Sequence, residues 1–327
     1  MVSGTATGYL IAGFAASTVL VFLMLRVGRA LNLMAVPNAR SSHVVPTPTA
    51  GGLGFVIPLL VFFGMLYLDG VDVALGLLLS LVLVAAASLW DDFAELSAGL
   101  RFTCQTAAVA LIVWQLDLPW AWYLLGLTGL ALLWHVNLFN FMDGIDGIAA
   151  GQCLLYVVGV QVLTLGAPGW MGELCWLTAG AMLGFLAYNW PPAKIFMGDV
   201  GSAVLGLLLA LLALLLARDG VLPLIASLIL LAGFWFDATY TLCVRMATGQ
   251  AFTQAHRSHL YQKLAAFKGH LWTTGVFIAF GLFWLLPLAW LTLRVADLAW
   301  VWLVAAVVPI GVASMRFGAG LPAQDEG

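Results

Sequence analysis

Charge is what this chain has least of. Only 8% of its 327 residues are Asp, Glu, Lys or Arg, against 63% hydrophobic residues, and the mean hydropathy is +1.06. That balance excludes a water-soluble domain and leaves no basic surface for a nucleic acid. Cysteine is scarce too: Cys104, Cys153, Cys175 and Cys243 are scattered without CxxC spacing and fall inside apolar runs. They read as small buried hydrophobes, not as a disulfide framework or a zinc site. Low-complexity tracts and long linkers are missing. So is any clear internal repeat, which disfavours the inverted-repeat transporter folds. The opening "MVSGTATGYL" has no basic n-region, and Arg26 and Arg29 follow the first apolar run, so that run reads as an uncleaved helix.

What the chain does have is apolar runs of about 17 to 22 residues, each long enough to cross a hydrocarbon core as a helix. Eleven lie near 8–25, 52–68, 73–90, 103–116, 120–136, 148–165, 173–188, 203–217, 221–243, 271–293 and 298–315, the fourth being short. The expected fold is an all-α, polytopic membrane protein of about 11 transmembrane helices forming a single domain over 1–327. If the loop after the first run is cytoplasmic, ten of the 12 Lys and Arg residues fall on that side and only Arg218 and Arg294 lie opposite. The positive-inside rule then places the N-terminus outside and the C-terminus in the cytoplasm.

The remaining polar residues gather on the same side. Five stretches carry them: "NARSSHVVPTPTAGG", "WDDFAELSAGLR", "HVNLFNFMDGIDG", "NWPPAKIFMGDVGS" and "AHRSHLYQKL". Asp91 and Asp92 end a span, where the helix macrodipole disfavours anions, so Arg101 or a bound metal should compensate them. Asn137, Asn140, Asp143 and Asp146 recur every three residues, a slanted stripe if the helix is regular. Gly144 and Gly147 loosen the backbone there, and the four oxygens suit a hard cation or a hydrogen-bonding ligand. Asp199 sits at the start of a span, near a helix N-terminus that suits phosphate, with Lys194 five residues earlier. His256, Arg257 and His259 fit a clamp for phosphate oxygens better than a zinc site, which would want more ligands of like softness. His43 and Arg40, in a Pro- and Gly-rich loop, could reach phosphates as well. Asp237, inside an apolar run, is a functional candidate with Arg245 as its expected partner.

These motifs, in this order, resemble the polyprenyl-phosphate N-acetylhexosamine-1-phosphate transferases. "DD" followed by "LS" and an arginine, "NFMDGIDG" and "PAKIFMGDVGS" are the shared signatures. "NARSSHVVPTPT" and "HRSHLYQKL" look most like the branch that initiates O-antigen, and hence lipopolysaccharide, assembly. The resemblance implies a bacterial inner-membrane enzyme with its active site facing the cytoplasm. It would move a sugar-1-phosphate from a UDP-N-acetyl sugar to undecaprenyl phosphate, releasing UMP, with Mg2+ as cofactor and Mn2+ able to substitute. A homodimer is compatible with it.

By the same resemblance Asp199 is the main metal ligand and Asn140 a second, while Phe196 and Asp143 contact the uracil side. Asp91 becomes the base or positioning group for the lipid phosphate, with Asp92 its neighbour. His256, Arg257 and His259 clamp the diphosphate, and Asn137, Asp146, Lys194, His43 and Arg101 complete the substrate contacts. Two positions depart from the family pattern: Ala35 stands where an aspartate is usual and Thr49 where a basic residue is usual. Competing readings are a transferase specific for UDP-N-acetylglucosamine in another envelope pathway and, in a different class, a cation-coupled transporter.

Overall fold

The computed structural model describes residues 5–30, 33–35, 45–94, 96–251 and 256–321, so His43 and Arg40 lie outside the described residues. The first half of the chain forms α1 (Ala6–Ala30), α2 (Leu53–Leu68), α3 (Ala74–Ala94), α4 (Ala98–Gln115), α5 (Trp122–Met142) and α6 (Ile148–Leu163). The second half forms α7 (Gly169–Asn189), α8 (Gly198–Arg218), α9 (Leu224–Leu230), α10 (Ala232–Ala247), α11 (Leu260–Lys268), α12 (His270–Phe280), α13 (Leu286–Arg294) and α14 (Ala299–Arg316). A π-turn, Gly281–Leu285, joins α12 to α13 as one long segment.

Helices cover all eleven apolar runs, but among the described residues seven are long and apolar enough to cross a membrane by length and composition, or eight with the bent pair α9 and α10. That pair turns by 75° at Leu231. Helices α2 and α6 are apolar but only 16 residues long. The fold is all-α as expected, with one short antiparallel ribbon of Met34–Ala35 (β1) and Thr47–Pro48 (β2) beside the helices. Phe196 donates its backbone N–H to Pro48 O (2.8 Å), which ties this ribbon to the chain leading into α8.

Helix α8 is the axis of the molecule. Its "AVLGLLLALLALLL" run is apolar on every side, which is the pattern of a helix enclosed by others. Helices α2, α3, α5, α6 and α9 surround it. Lipid offers no hydrophobic drive between helices, so close approach must come from small residues. Helices α1 and α7 follow that rule: a Cβ added at Gly180 would lie 2.0 Å from Leu10 O. Gln152 and Tyr156 on α6 satisfy their polar atoms at α9, through Leu230 O (3.0 Å) and Ser227 Oγ (3.1 Å).

Candidate active site

The N-terminus of α8 meets the C-terminus of α3. Asp92, near the end of α3, accepts the backbone N–H groups of Asp199 (3.1 Å) and Val200 (3.3 Å). Those first-turn donors have no partner within their own helix, so a carboxylate from another helix caps them. The helix end expected to face a phosphate thus already holds one of the protein's own anions. Such closeness requires Gly198: its φ is +73°, and a Cβ there would sit 2.8 Å from Asp92 Oδ2.

Arg101 reaches over from the first turn of α4. Its Nη1 bonds the Asp91 carboxylate and stands 3.5 Å from Asp199 Oδ2. Asp91 also accepts the Leu96 N–H at 2.8 Å. The guanidinium, one of the two compensating partners left open for Asp91, is therefore in place.

The expected stripe from Asn137 to Asp146 is broken, because α5 stops at Met142 and Asp143 is its C-cap. Asn140 stays on the helix with its amide beside the Asp199 carboxylate. Asp143 is half-buried, and burial together with the nearby carboxylates of Asp199, Asp92 and Asp146 pushes its carboxyl well above the usual range. Such an excess of hard oxygen donors suits a small dication. Among the described residues no three of His, Cys, Asp and Glu form a metal-holding group. A cation here would complete its shell with water or substrate oxygens, the habit of Mg2+.

A second network fixes the other end. Asp146 Oδ2 accepts the Ala193 N–H (3.0 Å), its Oδ1 lies 3.2 Å from His270 Nδ1, and its backbone O accepts the Thr274 hydroxyl (2.8 Å). Asn189 accepts the Gly147 N–H (2.9 Å) and donates to Ile195 O (2.9 Å). Between the two networks lies a cavity of ≈ 370 Å³ lined by Asp92, Asn140, Asp143, Asp146, Phe196 and Asp199. Those six were all readable from the motifs. Asn189, Gln262 and His270 also line it and were missed. Asn189 stands in a singled-out stretch, whereas His270 is signalled only as a histidine opening an apolar span.

Other candidates sit elsewhere. Asn137 donates to Gln105 Oε1 (2.9 Å) and Leu133 O (2.8 Å), a helix-to-helix bond away from the cavity. Lys194 is exposed and, among the described residues, makes no ion pair. Asp91 and Arg101 back the cavity without lining it.

The histidine stretch belongs to a third network. Asp237, fully buried on α10, accepts the backbone N–H groups of Leu260 (2.8 Å) and Tyr261 (3.0 Å) and the Thr241 hydroxyl (3.1 Å). It caps α11. Its expected pairing with Arg245 is not found, because that guanidinium donates to Gln250 Oε1 (2.8 Å) and Ala251 O (3.0 Å). His259 is buried with Nδ1 3.8 Å from Asp237, and the His256 ring lies 4.8 Å from it. Burial, then His259 and Arg245, lower His256 to about 4 against the opposing pull of Asp237. Arg257 is exposed. Tyr261 connects this network to the cavity by donating to Phe141 O (2.8 Å) at the end of α5.

Comparison with known proteins places these helix ends in context. Residues 74–217, from α3 through α8, match the model of glycosyl transferase family 4. A "Probable undecaprenyl-phosphate N-acetylglucosaminyl 1-phosphate transferase" of Bacillus subtilis is 30% identical over 254 residues, covering 71% of this chain and 69% of its own. A "Decaprenyl-phosphate N-acetylglucosaminephosphotransferase" of Mycobacterium leprae is 28% identical, covering 72% and 70%. A "Phospho-N-acetylmuramoyl-pentapeptide-transferase" of Lactiplantibacillus plantarum is 34% identical over 206 residues, 53% of this chain and 62% of its own. The match runs through the stretches that supply Asp92, Asn140, Asp143 and Asp199, and the chain belongs to glycosyl transferase family 4.

Proposed function

We propose that this protein transfers an N-acetylhexosamine-1-phosphate from a UDP-sugar to undecaprenyl phosphate, releasing UMP, at the cytoplasmic face of a bacterial inner membrane. The observation that carries this reading is the convergence of Asp92, Asn140, Asp143, Asp146, Phe196 and Asp199 on one cavity. Joining a diphosphate to a lipid phosphate concentrates negative charge. A site for that reaction needs fixed cationic help and an in-line arrangement of the two phosphates. Here Asp199 and Asn140 would hold Mg2+, which supplies charge neutralisation at the diphosphate oxygens when bound. Arg101, braced by Asp91, adds a fixed guanidinium beside Asp199. Asp92 is the carboxylate of the acidic pair that faces the cavity. It therefore takes the part the resemblance gave to Asp91, positioning the attacking lipid phosphate, while Asp91 orients Arg101. Phe196 offers a flat face to the nucleobase. Arg257, exposed beside His256, is available to an incoming phosphate.

Ala35 and Thr49, the two departures from the family pattern, both line the cavity, so the donor sugar is the property they should alter. The relatives above are named for N-acetylglucosamine or N-acetylmuramoyl-pentapeptide donors. An O-antigen role with a deoxy-N-acetyl sugar rests on "NARSSHVVPTPT" and "HRSHLYQKL" alone. The deciding experiment is UMP release by purified protein given undecaprenyl phosphate, Mg2+ and a panel of UDP-N-acetyl sugars. Turnover with one donor and none without lipid or cation supports the proposal. No UMP from any donor refutes it. The eleven-span arrangement with the N-terminus outside is proposed with it. Reporters at Asp91 and Asp219 should then report opposite sides of the membrane.

A further inference from the structure

The chain beyond α14 folds back onto the histidine stretch. Helix α14 closes with a Schellman turn: Ala319 donates its N–H to Ser314 O (2.8 Å) and Gly318 donates to Met315 O (3.2 Å), with Gly318 in the left-handed region at φ +63°. Gly320 follows at φ +80°, and both Ala319 and Gly320 are buried. A Cβ at Gly320 would lie 2.7 Å from Thr241 O and 2.7 Å from Val244 Cβ, so glycine is what lets this turn lie against α10.

From that position Gly320 joins two separate parts of the chain. Its N–H donates to Ser258 O (2.8 Å), and its O accepts from Gln250 Nε2 (2.9 Å). Gln250 is held in turn by the buried Arg245 guanidinium, which donates to Gln250 Oε1 (2.8 Å) and to Ala251 O (3.0 Å). Ser258 Oγ meets His256 Nδ1 at 2.9 Å. Arg257 stands between those two residues and is exposed. On the far side of the same stretch Asp237 accepts the N–H groups of Leu260 and Tyr261. The backbone that carries Arg257 is thus fastened at Ser258 to the turn after α14 and at Leu260 to α10.

A long cationic side chain on a free loop must be ordered when a phosphate arrives, and that loss of freedom offsets part of the attraction. A loop fixed beforehand avoids the cost and keeps the charge where negative charge develops. We propose that the turn after α14 is a clasp that positions Arg257 for phosphate, with Gly320 and Gln250 as its positioning residues. This rests on the proposed transfer reaction, in which Arg257 meets an incoming phosphate, and deepens it by giving a segment far from the acidic motifs a part in the site.

Two variants open the clasp by different routes. Gly320→Val forces the turn off α10. Gln250→Glu keeps an acceptor for Arg245 but sets a carboxylate against Gly320 O in place of a donor. Trypsin, which cuts after accessible arginine, reads the loop in the purified protein without any substrate. Cleavage of the Arg257–Ser258 bond should be about 10-fold faster in both variants, as the opened form becomes more populated. UMP release reads the role of the guanidinium. With the UDP-N-acetyl sugar selected by the donor panel, kcat/KM should fall about 10-fold in each variant, but less than about 3-fold when the same change is made in Arg257→Ala. A clasp that acts through Arg257 has nothing left to position there, whereas a merely structural loss would be as large in that background. Wild-type cleavage rates in both variants overturn the clasp. Faster cleavage with equal losses of turnover in the two backgrounds overturns the positioning role. If the wild-type protein releases no UMP from any donor, the transfer reading fails and the role of Arg257 with it, while the cleavage rates still decide whether the turn fastens the loop.

Discussion

Two aspartates in this protein, one half-buried and one fully buried, do the same geometrical task. Asp92 from α3 caps α8 through two backbone N–H groups, and Asp237 from α10 caps α11 through two more. Their surroundings differ. Asp237 is fully buried and shares its oxygens with Thr241 Oγ1, a complete set of partners in a closed space. Asp92 opens onto a cavity and stands beside other carboxylates, Asp199 and Asp91. A cap whose neighbours satisfy it is architecture; a cap crowded by like charge is held against electrostatic cost and marks a place where a counter-ion is wanted. Burial of an acid in a membrane protein does not by itself separate the two cases.

The largest effect that tests this contrast is on turnover. Asp92→Asn keeps the size of the side chain and one acceptor for α8, so the protein should accumulate and melt nearly as wild type does, while UMP release falls by ~10³-fold. Asp237→Asn should do the reverse, lowering the melting temperature with turnover per folded molecule largely kept. Equal loss of turnover in both, at equal folded amounts, would break the distinction.

Next in size is the structural penalty of emptying the second cap. Asp237→Ala leaves the N–H groups of Leu260 and Tyr261 buried without an acceptor, a loss of ~2–4 kcal/mol. Thermal unfolding in detergent measures it. A variant as stable as wild type would mean that α11 finds other partners and that Asp237 has been wrongly read as architecture.

The same contrast explains what could be read from sequence. Helical segments were legible as apolar runs, and the acidic clusters as exceptions to them, because burying charge in hydrocarbon is costly enough to be rare. Four acidic cavity residues followed from that, Asn140 from its spacing with them and Phe196 only from the family resemblance. Partner choice was not legible. Asp237 lies two turns from Arg245 in sequence, but the guanidinium turns to Gln250 and Ala251, and the acid meets α11 more than twenty residues on. Asn137 carried the same spacing as Asn140, yet α5 ends before the series completes, leaving one amide toward α4 and the other toward Asp199. His270 was invisible because a single histidine before an apolar run has no pattern, and only the return of α12 to Asp146 gives it one.

A smaller effect tests the cavity side of the comparison. Arg101→Lys preserves charge but not the rigid guanidinium whose Nη1 faces both Asp91 and Asp199. Losing one charged hydrogen bond of that bridge should lower turnover by ~10- to 100-fold. The change should appear in kcat more than in the melting temperature. Unchanged turnover would show that charge alone suffices there and that Asp91 does not act by orienting the guanidinium.

The smallest effect is a dependence of stability on pH, and it belongs to the Asp237 side. His256 is held near 4 in the folded protein, mainly by burial and then by the neighbouring His259 and Arg245, against an ordinary value of 6.5. Between those values the unfolded chain binds a proton that the folded protein refuses. Stability from this residue is therefore complete above about pH 6.5 and is lost as pH falls toward 4. His256→Gln cannot titrate, so it should flatten the fall of the melting temperature between pH 7.5 and pH 5. Because His256 is only partly buried, the gain should be modest and confined to the acid side, with wild type and variant alike at pH 7.5. Parallel melting curves across the whole range would show that the acid sensitivity arises elsewhere. A larger gap at pH 7.5 than at pH 5 would mean that the imidazole is valued for a hydrogen bond, such as the one it makes with Ser258 Oγ at 2.9 Å, more than for its neutrality.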